Sequence, residues 1–169
     1  AETTNDDTLT HFLSNGFTTG DDVVTNTSSE YYVAWNWKGG NATSGTGDFT
    51  QGSIASTCSR NVDAGFSIVS FTGTMVADTV GHGLSSAPIL VIVKGVGSVG
   101  SWVTGSNELT SWVYSMELDT TDAEGSVPAR FNSTPPSASV FSVYNSDYTN
   151  NTDTMLAYCF HSVEGYSKI

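Results

Sequence analysis

Two stretches of this chain spell nearly the same strand: Tyr32-Val33-Ala34-Trp35-Asn36-Trp37 and Met155-Leu156-Ala157-Tyr158-Cys159-Phe160. Successive side chains of a strand point to opposite faces, so a period of two marks a strand with one apolar face. That face carries Val33, Trp35 and Trp37 in the first copy, and Leu156, Tyr158 and Phe160 in the second. Both copies are therefore expected to be strands that turn this face to a core. Cys159 takes the place of Asn36, and Glu30 ahead of the first copy matches Asp153 ahead of the second. Further upstream, the run from Val24 to Ser29 matches Tyr148 to Thr152, and Gly16-Phe17-Thr18 matches Val140-Phe141-Ser142 after a one-residue gap.

A second echo runs the other way. Ala64-Gly65-Phe66-Ser67 returns as Glu164-Gly165-Tyr166-Ser167. Self-similarity of this kind is the signature of a modular array. It predicts that residues 1–40 are the C-terminal part of one repeat and 64–164 one complete repeat. Residues 165–169 would start a following repeat, and 41–63 form a polar linker or insertion. The chain is expected to continue at both ends.

Other strand candidates are short. Phe66 to Phe71 alternates apolar and polar residues, and Ile89 to Val93 is a continuous apolar run that predicts a strand covered on both faces. Ser101 to Val103, Trp112 to Met116 and Ser139 to Val143 complete the set. No segment repeats apolar residues at helical spacing for long enough to form a helix, and Asp119 to Glu124 makes one turn at most. Gly39 to Asp48 is a Gly-, Ser- and Thr-rich loop, and Pro135-Pro136 a rigid break. Many short strands between turn residues predict an all-β, antiparallel β-sandwich or jelly-roll-like fold built from a repeated unit.

Composition agrees with a packed β domain: 38% hydrophobic and 11% aromatic residues in 169. Net charge is −12, from 17 acidic and 5 basic residues. So few cations cannot neutralise many phosphates or an anionic bilayer, which argues against nucleic acid and membrane surfaces as partners. No apolar run approaches the ~20 residues of a membrane span, so no membrane insertion is expected. Acidity of this size serves solubility. Cys58 and Cys159 are expected as free, mostly buried thiols, a disulfide between them being the alternative.

Several motifs point to chemistry and read more simply otherwise. Gly95-Val96-Gly97-Ser98-Val99-Gly100 matches the dinucleotide fingerprint, with Glu117 and Asp119 near the position of the ribose-binding acid. That function needs a helix opening at the last glycine, and Ser101 to Asn107 reads as strand and turn. A Gly-rich hairpin loop is the expectation. His82, between Gly81 and Gly83, lacks zinc spacing to His11 or His161 and reads as a structural turn residue. Asp119, Asp122 and Glu124 crowd carboxylates into one turn and are calcium candidates, without EF-hand spacing. Asp6-Asp7 and Asp21-Asp22 are similar acidic pairs. Glu117, Asp119 and Glu124 are candidates for paired-carboxylate glycoside hydrolysis only by elimination. Trp102 and Trp112 could stack on sugar rings, although strand tryptophans more often pack in cores. The glycosylation signatures at Asn26, Asn41, Asn132 and Asn150 matter only in a host that modifies secreted proteins.

In combination, five segments resemble a repeat domain found in large structural proteins of marine bacteriophages and prophages. They are Tyr31 to Gly40, Ala64 to Gly73, Thr79 to Leu84, Ala87 to Lys94, and Ala157 to Phe160 together with Val163 to Ser167. The resemblance covers most of the chain, and Gly95 to Leu109 departs from it in being more Gly-rich and less basic. It implies a non-enzymatic virion-surface or extracellular protein: a tail fibre, adhesin or capsid decoration module contributing to particle structure and host attachment. Implied partners are other virion proteins, copies of itself in a homo-oligomer, and host surface glycans. The resemblance carries no catalytic or cofactor-binding residues. A carbohydrate-binding module of a secreted or cell-surface protein is the alternative, and a glycan-degrading spike enzyme a third reading.

Overall fold

The computed structural model describes residues 5–40, 43–44 and 52–169. Two compact units emerge, Glu2–Trp37 and Lys38–Ile169.

The first unit holds an antiparallel hairpin, β1 (Leu9–Leu13) and β2 (Gly16–Thr19), and one helical turn, α1 (Val23–Asn26). The hairpin closes where Leu13 faces Gly16, through the two residues Ser14 and Asn15. Asp22 caps α1, its carboxylate accepting from Val24 N–H at 2.7 Å. Tyr31–Trp37 follows, and here the structure corrects the sequence reading. The segment forms no strand. Tyr31, Val33 and Trp35 are 101%, 83% and 75% exposed, where a core-facing strand was expected. An alternating pattern makes a strand only when a neighbour supplies the ladder, and none does so among the described residues.

The second unit contains β3 (Thr43–Ser44), β4 (Ser56–Asn61), β5 (Phe66–Thr72), β6 (Asp78–Gly81), β7 (Leu90–Gly95), β8 (Val103–Ser106), β9 (Tyr114–Glu117), β10 (Gly125–Ser126), β11 (Val140–Val143) and β12 (Thr154–Phe160). Eight of them form one antiparallel sheet in the order β10-β9-β8-β7-β12-β5-β4-β3, while β11 pairs with β6 alone. The all-β, antiparallel expectation is met. β4 lies inside the polar stretch whose composition predicts a linker, and Asp119 to Glu124 makes no helical turn. The Gly39 to Asp48 loop and Asn41 fall mostly or wholly outside the described residues.

β12 takes the central lane. It pairs with β5 from Thr154↔Thr72 to Phe160↔Phe66, and with β7 from Met155↔Gly95 to Phe160↔Leu90. One sheet face presents Cys58, Val69, Phe71, Val91, Val93, Val103, Met155, Ala157 and Cys159, all buried in one core with Val80, Phe141 and Val143 of the β6–β11 pair. Phe71 and Phe141 meet edge-on at 6.2 Å across that core. The buried face of β12 is thus Met155, Ala157 and Cys159, while Leu156 and Tyr158 on the other face are only half-buried. The sequence reading had the faces reversed, because aromatic bulk outweighed the strong tendency of Cys, Met and Ala to be fully buried.

Candidate functional site

The acidic candidates lie around β9, and the carboxylates of Glu117, Asp119 and Glu124 serve the fold. Glu117 pairs with the guanidinium of Arg130. A hydrogen bond from Ser101, and then the one from Arg130, hold its carboxyl below the usual carboxylate range. A carboxyl so lowered is ionised at neutral pH and ill-suited to donate a proton to a leaving group. Asp119 accepts from Trp102 N–H at 3.2 Å. Glu124 accepts from Thr110 N–H at 2.8 Å and from its hydroxyl, which also lowers its carboxyl below the usual range. Asp122 is exposed, its N–H bonded to Thr120 Oγ1 at 3.3 Å. The three calcium candidates therefore do not converge. Among the described residues, no group of three or more His, Cys, Asp or Glu is placed to hold a metal ion.

Arg130 was not singled out by sequence. It is 8% exposed, donates to Ser115 Oγ at 3.0 Å, and lies 5.2 Å from the centre of the Tyr148 ring. Thr149 donates to its carbonyl at 2.7 Å. The side chain ties β9 to the 127–134 segment and to the approach to β12. Asn150 is a second buried tie that sequence missed. Its amide donates to the carbonyls of Val76 and Tyr144 at 2.9 and 2.8 Å, and its Oδ1 accepts from Thr74 N–H at 3.0 Å. Complete burial also makes Asn150 useless as a glycosylation site. Scarcity was the available signal for Arg130, since a cation kept in a chain with only 5 has a use.

The two tryptophan candidates separate. Trp112 is 6% exposed, donates to Asn107 Oδ1 at 2.7 Å, and meets Phe131 edge-on at 5.4 Å. It is a core residue. Gly105 lies beneath it, where a Cβ would come within 2.6 Å of the Trp112 ring and 2.7 Å of Phe131. Trp102 is half-buried, its ring stacked on Tyr158 at 6.0 Å and 27°. These rings belong to the outer sheet face, where Ile68, Tyr158 and Ile92 stand in one register row and Phe66, Phe160 and Leu90 in the next. The Phe66 and Phe160 rings lie 4.8 Å apart, tilted by 32°. Burial raises the Tyr158 hydroxyl above its ordinary value.

The remaining motifs are structural. Gly95 to Gly100 joins the antiparallel pair β7 and β8, so the loop is a hairpin connection and opens no helix. Lys94 Nζ donates across it to the Gly100 carbonyl at 2.9 Å. His82 is fully buried: Nδ1 accepts from Leu84 N–H at 3.2 Å, and Nε2 lies 3.2 Å from the Ser137 carbonyl. A carbonyl only accepts, so Nε2 carries the proton and the ring is neutral. Cys58 and Cys159 are both free and buried. Burial pushes the Cys58 thiol up to about 11 and that of Cys159 higher still, so neither is a thiolate nucleophile at neutral pH.

The outer face, where Lys94 stands opposite Leu156 among apolar residues, and the exposed aromatic segment offer mainly apolar contact surface. Residues 1–169 match the family described as Domain of unknown function (DUF7483), and the chain belongs to it. No curated protein and no solved structure matches the chain.

Proposed function

We propose that this member of the DUF7483 family is a non-enzymatic module of a bacteriophage particle surface. It would serve as a tail-fibre, adhesin or decoration element in particle structure and host-surface attachment. The observation that carries this reading is that one strand pattern occurs twice, central and paired in β12 and exposed in Tyr31–Trp37. Writing the same strand twice is the economy of an array of like units, in which neighbours cover each other's apolar surface. In that reading the eight-stranded sheet and the β6–β11 pair are the layers of a jelly-roll-like sandwich. Residues 64–164 are one complete repeat, and 1–40 close another. The resemblance of five segments to a phage repeat domain gives the biological setting. The anionic surface suits a particle that must stay dispersed.

Immunogold labelling of purified virions with antibody to this chain tests the proposal. Label on tail tip or fibres supports attachment, and label over the capsid supports decoration. Virions that stay unlabelled refute it. A second reading, a carbohydrate-binding module, draws on Trp102, which presents an aromatic surface beside Tyr158 on the half-buried sheet face. Glycan binding that is lost in Trp102→Ala while Trp112→Ala lowers only stability would favour it.

A further inference from the structure

We propose that Tyr31–Trp37 is an exchange strand: on a second copy of this chain it takes the lane that β12 occupies between β5 and β7. The inference rests on the reading of the molecule as one of an array of like copies, and it names the contact between them.

The fit follows residue by residue from the β12 register. Ala157 faces Val69 on β5 and Val93 on β7, and the matching residue in the segment is Ala34, an identical side chain. Tyr158 faces Ile68 and Ile92 and stacks on Trp102. Trp35 replaces one aromatic ring with another there. Phe160 faces Phe66 and Leu90, where Trp37 brings a larger ring, and Leu156 corresponds to Val33. Two inward positions differ in polarity: Tyr32 stands for Met155, which is fully buried opposite Phe71 and Gly95, and Asn36 stands for Cys159. Cys159 pairs with Ser67, a fully buried hydroxyl on β5. The only amide in the segment thus lands on the only polar side chain of the inward β5 row Ser67, Val69 and Phe71. A random aromatic stretch has no reason to match at four of the six rows.

Exposure and charge point the same way. Tyr31, Val33 and Trp35 stand in solvent, and residues 31–37 carry no charge in a chain of net −12. An exposed, β-prone, uncharged segment is a strand-pairing hazard unless pairing is its use. Within one chain β12 holds the lane, with an effective concentration on the order of millimolar. A second copy competes only at such densities, which copies set side by side on a particle reach. Unlike a swap of identical elements, this exchange releases β12 and takes Met155, Ala157 and Cys159 out of the core, so the segment must outcompete the strand it replaces.

The test is sedimentation of the chain refolded at about 1 mM and at about 1 µM. Runs at 0.1 M and 1 M salt change the screening length from about 10 to about 3 Å. The expected result is a monomer when dilute and a mass at least doubled when concentrated, more so at high salt, where anionic copies repel less. The double variant Val33→Lys/Trp35→Lys should stay monomeric throughout. Lysines at the exposed Val76 and Val99 control for charge and should leave association intact. A wild type that is monomeric at about 1 mM overturns the proposal, as does association that the segment variant leaves unchanged. A chimera with Tyr31–Trp37 replacing Thr154–Phe160 checks the fit alone. It should unfold cooperatively, and a copy shifted by one residue should not; equal behaviour of the two also overturns it. Unlabelled virions beside a concentration-dependent dimer would remove the phage setting and leave the exchange strand standing.

Discussion

At the scale of single residues, the buried polar groups make the sharpest predictions. Arg130→Met keeps volume but takes the guanidinium from Glu117, whose side chain is 24% exposed and keeps its hydrogen bond from Ser101. The cost should be about 2–3 kcal/mol, below the ~3–5 kcal/mol for breaking a fully buried pair, read as a lower urea midpoint at unchanged slope. Gly105→Ala drives a methyl into the Trp112 and Phe131 rings and should cost about 1–3 kcal/mol by the same measurement. His82 gives the molecule a pH dependence of known sign. Burial lowers its proton affinity below the ordinary value of 6.5. The unfolded chain therefore binds the proton first as pH falls. Stability is complete above that ordinary value and declines below it, down to the folded pKa. Melting temperature should fall between pH 7 and 5, and His82→Gln should flatten that slope at the expense of overall stability.

Among elements, legibility in the sequence followed how far a strand's own pattern decides its fate. β5, β7 and β11 were legible because both their apolar content and their turns are local. β4, with Thr57, Ser59, Arg60 and Asn61 among its residues, was hidden, since its place comes from pairing with β5 rather than from hydrophobicity. Tyr31–Trp37 shows the converse, a strong strand pattern without a strand, because a ladder needs a neighbour that no local sequence can supply. The candidate site was less legible than the fold. Residue type alone marked Glu117, Asp119 and Glu124, yet their roles as partners of Arg130, Trp102 N–H and Thr110 depend on contacts made across loops. Trp102 and Trp112 read alike in sequence and part in the structure. Accordingly, Trp112→Ala should lower the melting temperature far more than Trp102→Ala, which thermal unfolding of the two variants would show.

At the scale of the whole molecule, charge and strand order set the behaviour. Two of the five basic side chains, Lys94 and Arg130, are at most 8% exposed. The solvent-facing surface is thus more anionic than the net charge implies, and self-repulsion should make thermal stability rise from 0.1 to 1 M salt. The order of strands along the chain has a consequence for how the protein is made. The central lane of the eight-stranded sheet is filled by its last strand in sequence. While a ribosome is still short of residue 160, β5 and β7 wait as separate hairpin neighbours with bare amide edges toward each other. The nascent sheet therefore cannot close progressively as it emerges, and the decisive pairing is a late, long-range event of the kind that slows β folding. On a crowded polysome the neighbouring chains are the nearest rivals for that vacancy, so under the exchange-strand proposal synthesis itself is the moment at which copies would be paired.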